Sequence, residues 1–246
     1  MESLMSRPAG GKDKPGWAGA LELGATWAVW RGAVGDAAAH RHFAAQAVLS
    51  GEPLTVHDAE GRSVSADCVL IDPLTPHRLV ASPSAELIFL EPSRYAATEL
   101  EAKLRQIRQT RSLAVLRGAP GQEFWARWLS SPTPAPRPLD PRLQAAMLVL
   151  EEDLSEGPTP LKRAAAVAGL SPERFRHLFA EEVGLPYRRF LLWRRLRLAA
   201  EHLLAGRDAT VAAHAAGFAD AAHLARTLKA TFGVTASQLH LATPSA

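Results

Sequence analysis

Cysteine is nearly missing from this 246-residue chain, in which Cys68 stands alone. One thiol excludes an internal disulfide, and neither a CxxC pair nor a Cys/His zinc spacing exists, so the expected compartment is the reducing cytoplasm. Cys68 sits in an apolar run and reads as a buried structural thiol. Membrane-length hydrophobic runs are missing as well, which excludes a spanning segment. The polar start MESLMSRPAGGKDKPG lacks the apolar stretch of a signal peptide, and residues 1–16 read as a flexible arm. Catalytic signatures are missing too: no GxSxG, HExxH, GxxxxGK[ST] or GxGxxG is present, and no enzyme activity is expected. A large charge excess is also lacking, since the net charge is only +3. That small excess lies from Pro141 onward, where 13 Lys and Arg face 10 Asp and Glu; before it there are 15 of each. Such a balance permits nucleic-acid binding without demanding it.

What is there is a repeat. In LKRAAAVAGLSPERFRHLFAEEVG, a short helix over Leu161–Ala168 ends at Gly169. Ser171 then caps a second helix that has Pro172 in its first turn. Phe175, Leu178 and Phe179 form its apolar face, leaving Glu173, Arg176 and His177 outside. The same layout returns 49 positions later: Ser171 corresponds to Asp220, Phe175 to Leu224, Phe179 to Leu228 and Gly184 to Gly233. Thr210 is the expected cap of the short helix Val211–Ala216, which Gly217 ends. The second outer face carries Ala221, Ala222, His223 and Arg226. Between the units, PYRRFLLWRRLRLAAEHLLAG reads as one helix of about five turns. Its Arg188, Arg189, Arg194 and Arg195 are candidate phosphate contacts. PRLQAAMLVLEEDLSEG precedes the repeat as a further helix.

These segments, together with GFADAAHLARTLKATFGVTASQ, resemble the DNA-binding domain of the AraC/XylS family of transcription regulators. The resemblance covers about a third of the chain. It implies that each unit is a helix-turn-helix whose second helix enters the major groove. By position, the base-reading residues are then Glu173, Arg176 and His177, followed by Ala221, Ala222, His223 and Arg226. Ala221 and Ala222 can touch a thymine methyl but cannot hydrogen-bond a base edge.

Residues 17–92 read as short strands between turn residues, with HDAEGRS as a hairpin. GDAAAHRHFAAQAVLSG followed by IDPLTPHRLV resembles the two motifs of the cupin barrel. That likeness places His40, His42, Gln46 and His77 at an effector pocket or metal site, with Gln46 where metal cupins carry Glu. Helices over SRYAATELEAKLRQIRQTRSLAVL and GQEFWARWLS follow; the resemblance implies a dimerisation surface, and the alternative is that they pack on the barrel's open edge. The expected fold is therefore α+β in two domains. Residues 17–130 form a cupin-like β-barrel with appended helices, and residues 131–140 a Pro-rich linker. Residues 141–246 form an all-α domain of two helix-turn-helix units joined by a long helix. The expected function is a cytoplasmic, sequence-specific transcription regulator controlled by a small effector in the N-terminal domain. Its partners would be double-stranded DNA, RNA polymerase and a second copy in a homodimer. No cofactor is required by this reading. A metal-dependent cupin enzyme with an accessory helical module, holding a divalent metal on the histidines, is the alternative.

Overall fold

A computed structural model describes residues 16–24, 26–91, 114–115, 139–157, 159–235 and 237. Its first part is a sheet, built from β1 (Ala18–Leu23), β2 (Trp27–Val34), β3 (Ala45–Asp58), β4 (Ser63–Ile71), β5 (His77–Leu79), β6 (Ser82–Leu90) and β7 (Ala114–Val115). All pairings are antiparallel, in the order β1-β2-β6-β3-β4-β7. The 14-residue β3 organises the sheet. Its first half, Ala45–Leu49, pairs with β6, and its end, Val56–Asp58, pairs with β5. The break falls at residues 50–53, where the register against β4 also shifts. The expected hairpin closes as read: Gly61 takes a left-handed φ of 79°, and the Asp58 carboxylate accepts from the backbone N–H groups of Glu60 and Arg62.

The barrel expectation is corrected in one respect. Among the described residues the sheet is not closed, because β1 pairs only with β2 and β7 only with β4. Edge β1 instead sits tightly on β2. A Cβ on Gly19 would lie 2.2 Å from the Arg31 carbonyl oxygen, so this approach requires glycine. The expected helices from Ser93 and from Gly121, the dimerisation surface they offered, the N-terminal arm and most of the Pro-rich linker lie outside the described residues.

The second part is helical: α1 (Pro141–Glu152), a 3-10 turn (Leu154–Glu156), α2 (Leu161–Val167), α3 (Pro172–Val183), α4 (Tyr187–Leu204), α5 (Ala209–Ala215) and α6 (Ala221–Phe232). Local chemistry sets the ends. Asp140 caps α1 at Arg142 N, Ser171 caps α3 at Arg174 N, and Asp220 caps α6 at His223 N. Gly184 and Gly233 end α3 and α6 with left-handed φ of 80° and 71°. One cap differs from expectation. Asp208, not Thr210, accepts from Thr210 N and Val211 N, so α5 begins two residues earlier than read. A carboxylate before the first turn is the stronger partner for those N–H groups.

Two apolar cores result among the described residues. One runs from the sheet, through Trp30, Val48 and Phe89, across Trp193 into the first helical lobe at Leu143, Phe175 and Phe179. The other belongs to the second lobe and joins Leu196, Leu203, Phe218, Leu224 and Leu228.

Candidate DNA interface and histidine cluster

The repeat seen in the sequence becomes two helix pairs, α2/α3 and α5/α6, joined by the five-turn α4. Tyr187 at the start of α4 donates its hydroxyl to Thr159 O and packs edge-on against Phe175 and Phe179, which seats the first pair. Burial, helped by the nearby Asp153 carboxylate, pushes the Tyr187 hydroxyl up to about 12. On α3, Glu173, Arg176 and His177 are exposed on one face, as expected. They are also tied together: Arg176 donates to Glu173 at 2.5 Å, and His177 Nε2 lies 2.8 Å from the same carboxylate oxygen. These contacts hold the Glu173 carboxyl below the usual carboxylate range. On α6, Ala222 and Arg226 are exposed, while Ala221 and His223 are half-buried. His223 packs edge-on against Phe218.

The four candidate phosphate arginines divide. Arg188 and Arg189 are exposed at the start of α4. Arg195 is buried: it donates to the carbonyls of Ala216 and Gly217 and lies over the Phe218 ring at 4.3 Å. It satisfies the carbonyl end of α5 and so packs the second lobe. Arg194 turns towards the sheet, donating to Glu91 at 3.2 Å and to Glu151 at 2.8 Å. Neither Arg194 nor Arg195 is offered to a phosphate in this arrangement.

Sequence reading gave Glu91 no role. It is 2% exposed, follows the last residue of β6, and accepts from both Trp193 Nε1 (2.9 Å) and Arg194. A carboxylate closing the apolar run AELIFLEP was the available signal. Glu91 holds α4 on the sheet through two neighbouring side chains.

The cupin-derived residues do come together. His40, His42 and His77 place one ring nitrogen each within 4.8 Å of one another, and all three are buried. Each Nδ1 faces a backbone carbonyl: His40 to Ala38 O at 2.8 Å, His42 to Ala44 O at 2.7 Å, and His77 to Thr75 O at 2.9 Å. A ring nitrogen facing a carbonyl carries the hydrogen, so Nε2 of His40 and of His77 is left with its lone pair. Gln46 Oε1 lies 2.8 Å from His42 Nε2, so both ring nitrogens of His42 face an oxygen acceptor. Among the described residues, His77 Nε2 is buried without a hydrogen-bond partner. Burial, reinforced by neighbouring His40, pushes His42 down to about 4; burial also lowers His40 and His77, leaving all three neutral at pH 7.

A separate apolar cavity lies between sheet and helices. Its walls include Trp17, Trp30 and Phe89 from the sheet side and Trp193, Leu228 and Phe232 from the helices. Its volume is about 80 Å³, and Arg197 also lines it. None of His40, His42, Gln46 and His77 does.

Residues 164–241 match the family described as a helix-turn-helix domain. This is an AraC-type helix-turn-helix domain. The base- and phosphate-facing candidates above, from Glu173 to Arg226, all lie within it. No curated protein sequence matches the chain. Among solved structures, the chain resembles ToxT from Vibrio cholerae. One ToxT structure is 10% identical over 89% of this chain and 99% of that one, with a TM-score of 0.54. An apo ToxT variant is 12% identical over 90% and 100%, with a TM-score of 0.56. A wild-type ToxT bound to unsaturated fatty acid is 12% identical over 90% and 97%, with a TM-score of 0.54. The shared feature is the fold: an N-terminal sheet followed by a helical domain. Among the described residues, no helix is long and apolar enough to cross a membrane.

Proposed function

We propose that the protein is a sequence-specific DNA-binding transcription regulator whose helical domain is controlled by a small effector held against the N-terminal sheet. The observation that carries this reading is the pair of capped helices α3 and α6, each ended by a left-handed glycine and each carrying exposed polar or small residues. Arg176, His177 and Glu173 on α3, with Arg226, His223, Ala221 and Ala222 on α6, face base edges. Arg188 and Arg189 meet phosphates. Selection of bound duplexes from a random pool tests it. The expected product is two short elements about one helical turn, ~10 bp, apart. Salt-sensitive binding without a motif would remove the base-reading role. Arg226→Ala should weaken specific binding far more than non-specific binding, whereas Arg188→Ala should weaken both and lower the salt slope by about one.

The effector is an apolar molecule with a hydrogen-bond-accepting head. Its site is the cavity between sheet and helices, lined by Trp17, Trp30 and Arg197; among the described residues the two indole N–H groups are buried without partners, and Arg197 is paired with Glu201 at 3.1 Å. The fatty acid bound by a protein of the same fold supports this class of ligand. A cavity of about 80 Å³ holds only a few methylenes, so a longer chain must part α4 and α6 from the sheet. Occupancy and docking are then linked, as an effector requires. Titration with unsaturated fatty acid should quench tryptophan fluorescence in the full chain, and Leu87→Trp, which fills the cavity, should abolish the quenching. An unchanged signal in the parent chain rejects this ligand class.

A further inference from the structure

The two helix pairs turn on the same hydrogen bonds. After α2, Gly169 N donates to Ala166 O and Leu170 N to Ala165 O, at 3.0 and 2.9 Å. After α5, Gly217 N donates to His214 O and Phe218 N to Ala213 O, at 2.9 and 2.8 Å. Both glycines are left-handed, with φ of 62° and 69°, and the turn explains each by its torsion. Their surroundings differ. A Cβ on Gly169 would meet nothing within 4 Å. A Cβ on Gly217 would lie 2.6 Å from Leu154 O and 2.8 Å from both N and Cα of Gly157. The second turn therefore needs its glycine twice, once for the torsion and once for a contact that the first turn lacks.

That contact joins the two lobes. Leu154 opens the 3-10 turn after α1 and is buried in the first core. Gly157 ends that turn at φ 118° and ψ −173°, a conformation essentially confined to glycine, so backbone meets backbone with no side chain between. Arg195 holds Gly217 from another side. From α4 it donates to the carbonyls of Ala216 and Gly217 and stacks on Phe218. Both lobes also pack along α4, a single rod of 18 residues. Packing along one rod fixes position along it and leaves rotation about it soft. Neither Gly217 nor Leu154 belongs to α4, so their contact resists that rotation.

We infer that Gly157, Gly217 and Arg195 form a clasp between the lobes that sets the resting spacing and phase of α3 and α6, and so selects duplexes by the separation of their two elements. Only the consequence for DNA rests on the function proposed above. One added base pair moves the second element by about 3.4 Å and turns it by about 35°. A clasped pair of reading helices rejects that change, and a loosened pair follows it.

The test takes two readouts on the full chain. For the first, spin labels on Glu181→Cys and Lys229→Cys, both exposed positions, in a Cys68→Ser chain report the distance between α3 and α6 by pulsed electron resonance. The parent should give one narrow distribution. Gly217→Ala should broaden it, whereas Gly169→Ala, which brings the same torsional strain without the contact, should not. Arg195→Lys, with a single head for two carbonyls, should also broaden it, and decides the question if Gly217→Ala does not fold. For the second, the duplex selected by the parent is rebuilt with its elements one base pair nearer or farther. Affinity should fall about tenfold for the parent and for Gly169→Ala, and about threefold or less for Gly217→Ala and Arg195→Lys. A distribution that stays narrow in Gly217→Ala and Arg195→Lys overturns the clasp, as does equal broadening in Gly169→Ala. Broadening with an unchanged spacing preference overturns its part in selecting DNA. If the distribution broadens and no motif can be selected even by the parent, the regulator reading fails and the clasp does not.

Discussion

The two helix pairs share a plan and differ in what surrounds them. The first, α2/α3, is rooted in a core that continues through Trp193 into the sheet, yet its reading face stands free. The second, α5/α6, has a core of its own, yet the tip of its reading helix is held against the histidine cluster. The two copies thus differ in where they are held: one is fixed at its base and open at its face, the other independent at its base and in contact at its tip. Their chemistry differs accordingly. The first face carries three charged or ionisable groups that bind one another, and the second offers two alanines and an exposed Arg226.

The sharpest way to break this comparison is through the cores. Phe175→Ala should cost about 3–5 kcal/mol and destabilise the sheet along with the first pair. Leu224→Ala should cost about 2–4 kcal/mol and melt the second lobe alone. Residue-level hydrogen exchange in urea distinguishes them, and a single shared transition in both variants would erase the difference drawn here. Next in size is Glu91→Gln, which keeps an acceptor for Trp193 but removes the charge facing Arg194. A loss of about 2 kcal/mol in the docking of α4 is expected, read as faster protease cleavage within residues 131–140.

Tyr187 gives a pH signature confined to the first pair. Its hydroxyl is held at about 12, above the ordinary 10, so folding favours the protonated form. That contribution is whole below pH 10 and is lost as the pH climbs from 10 to 12, by up to about 2 kcal/mol. Tyr187→Phe should flatten this part of the stability profile, measured by urea unfolding between pH 9 and 12. The smallest effect belongs to the surface. Glu173→Gln frees Arg176 and His177, so non-specific DNA affinity should rise a few-fold while stability moves by less than about 0.5 kcal/mol. An unchanged affinity would mean that Glu173 does not restrain the first face.

The helical half was largely legible because its signals are local. Ser171, Asp220, Gly184 and Gly233 each act within a few residues of themselves, and a period of 49 repeats them. The cap of α5 was misread because Asp208 and Thr210 are both plausible two positions apart, and only the charge decides between them. Arg195 looked like one of a basic stripe. Its place in the i, i+4 row Leu191, Arg195, Ala199 and Leu203 was the overlooked sign that it points inward. The histidines were found by their motif, but the cover over them was not legible, since Phe232 and Gly233 lie more than 150 residues further along the chain. The open edges of the sheet were hidden for the same reason: alternation shows that strands exist, and pairing across distance decides whether they close.

Glu91 grips α4 at Trp193 and Arg194, which are not at the middle of that helix. Six residues separate Trp193 from the start at Tyr187 and eleven from the end at Leu204. At 1.5 Å per residue, these are arms of roughly 9 and 17 Å. The grip is a fulcrum, and the lever across it is unequal. A tilt of about ten degrees would swing the near end by roughly 1.5 Å and the far end, which carries α5 and α6, by roughly 3 Å in the opposite sense. Any ligand that rocks the helix against the sheet therefore changes the spacing of the two reading helices, and does so mainly by moving the second.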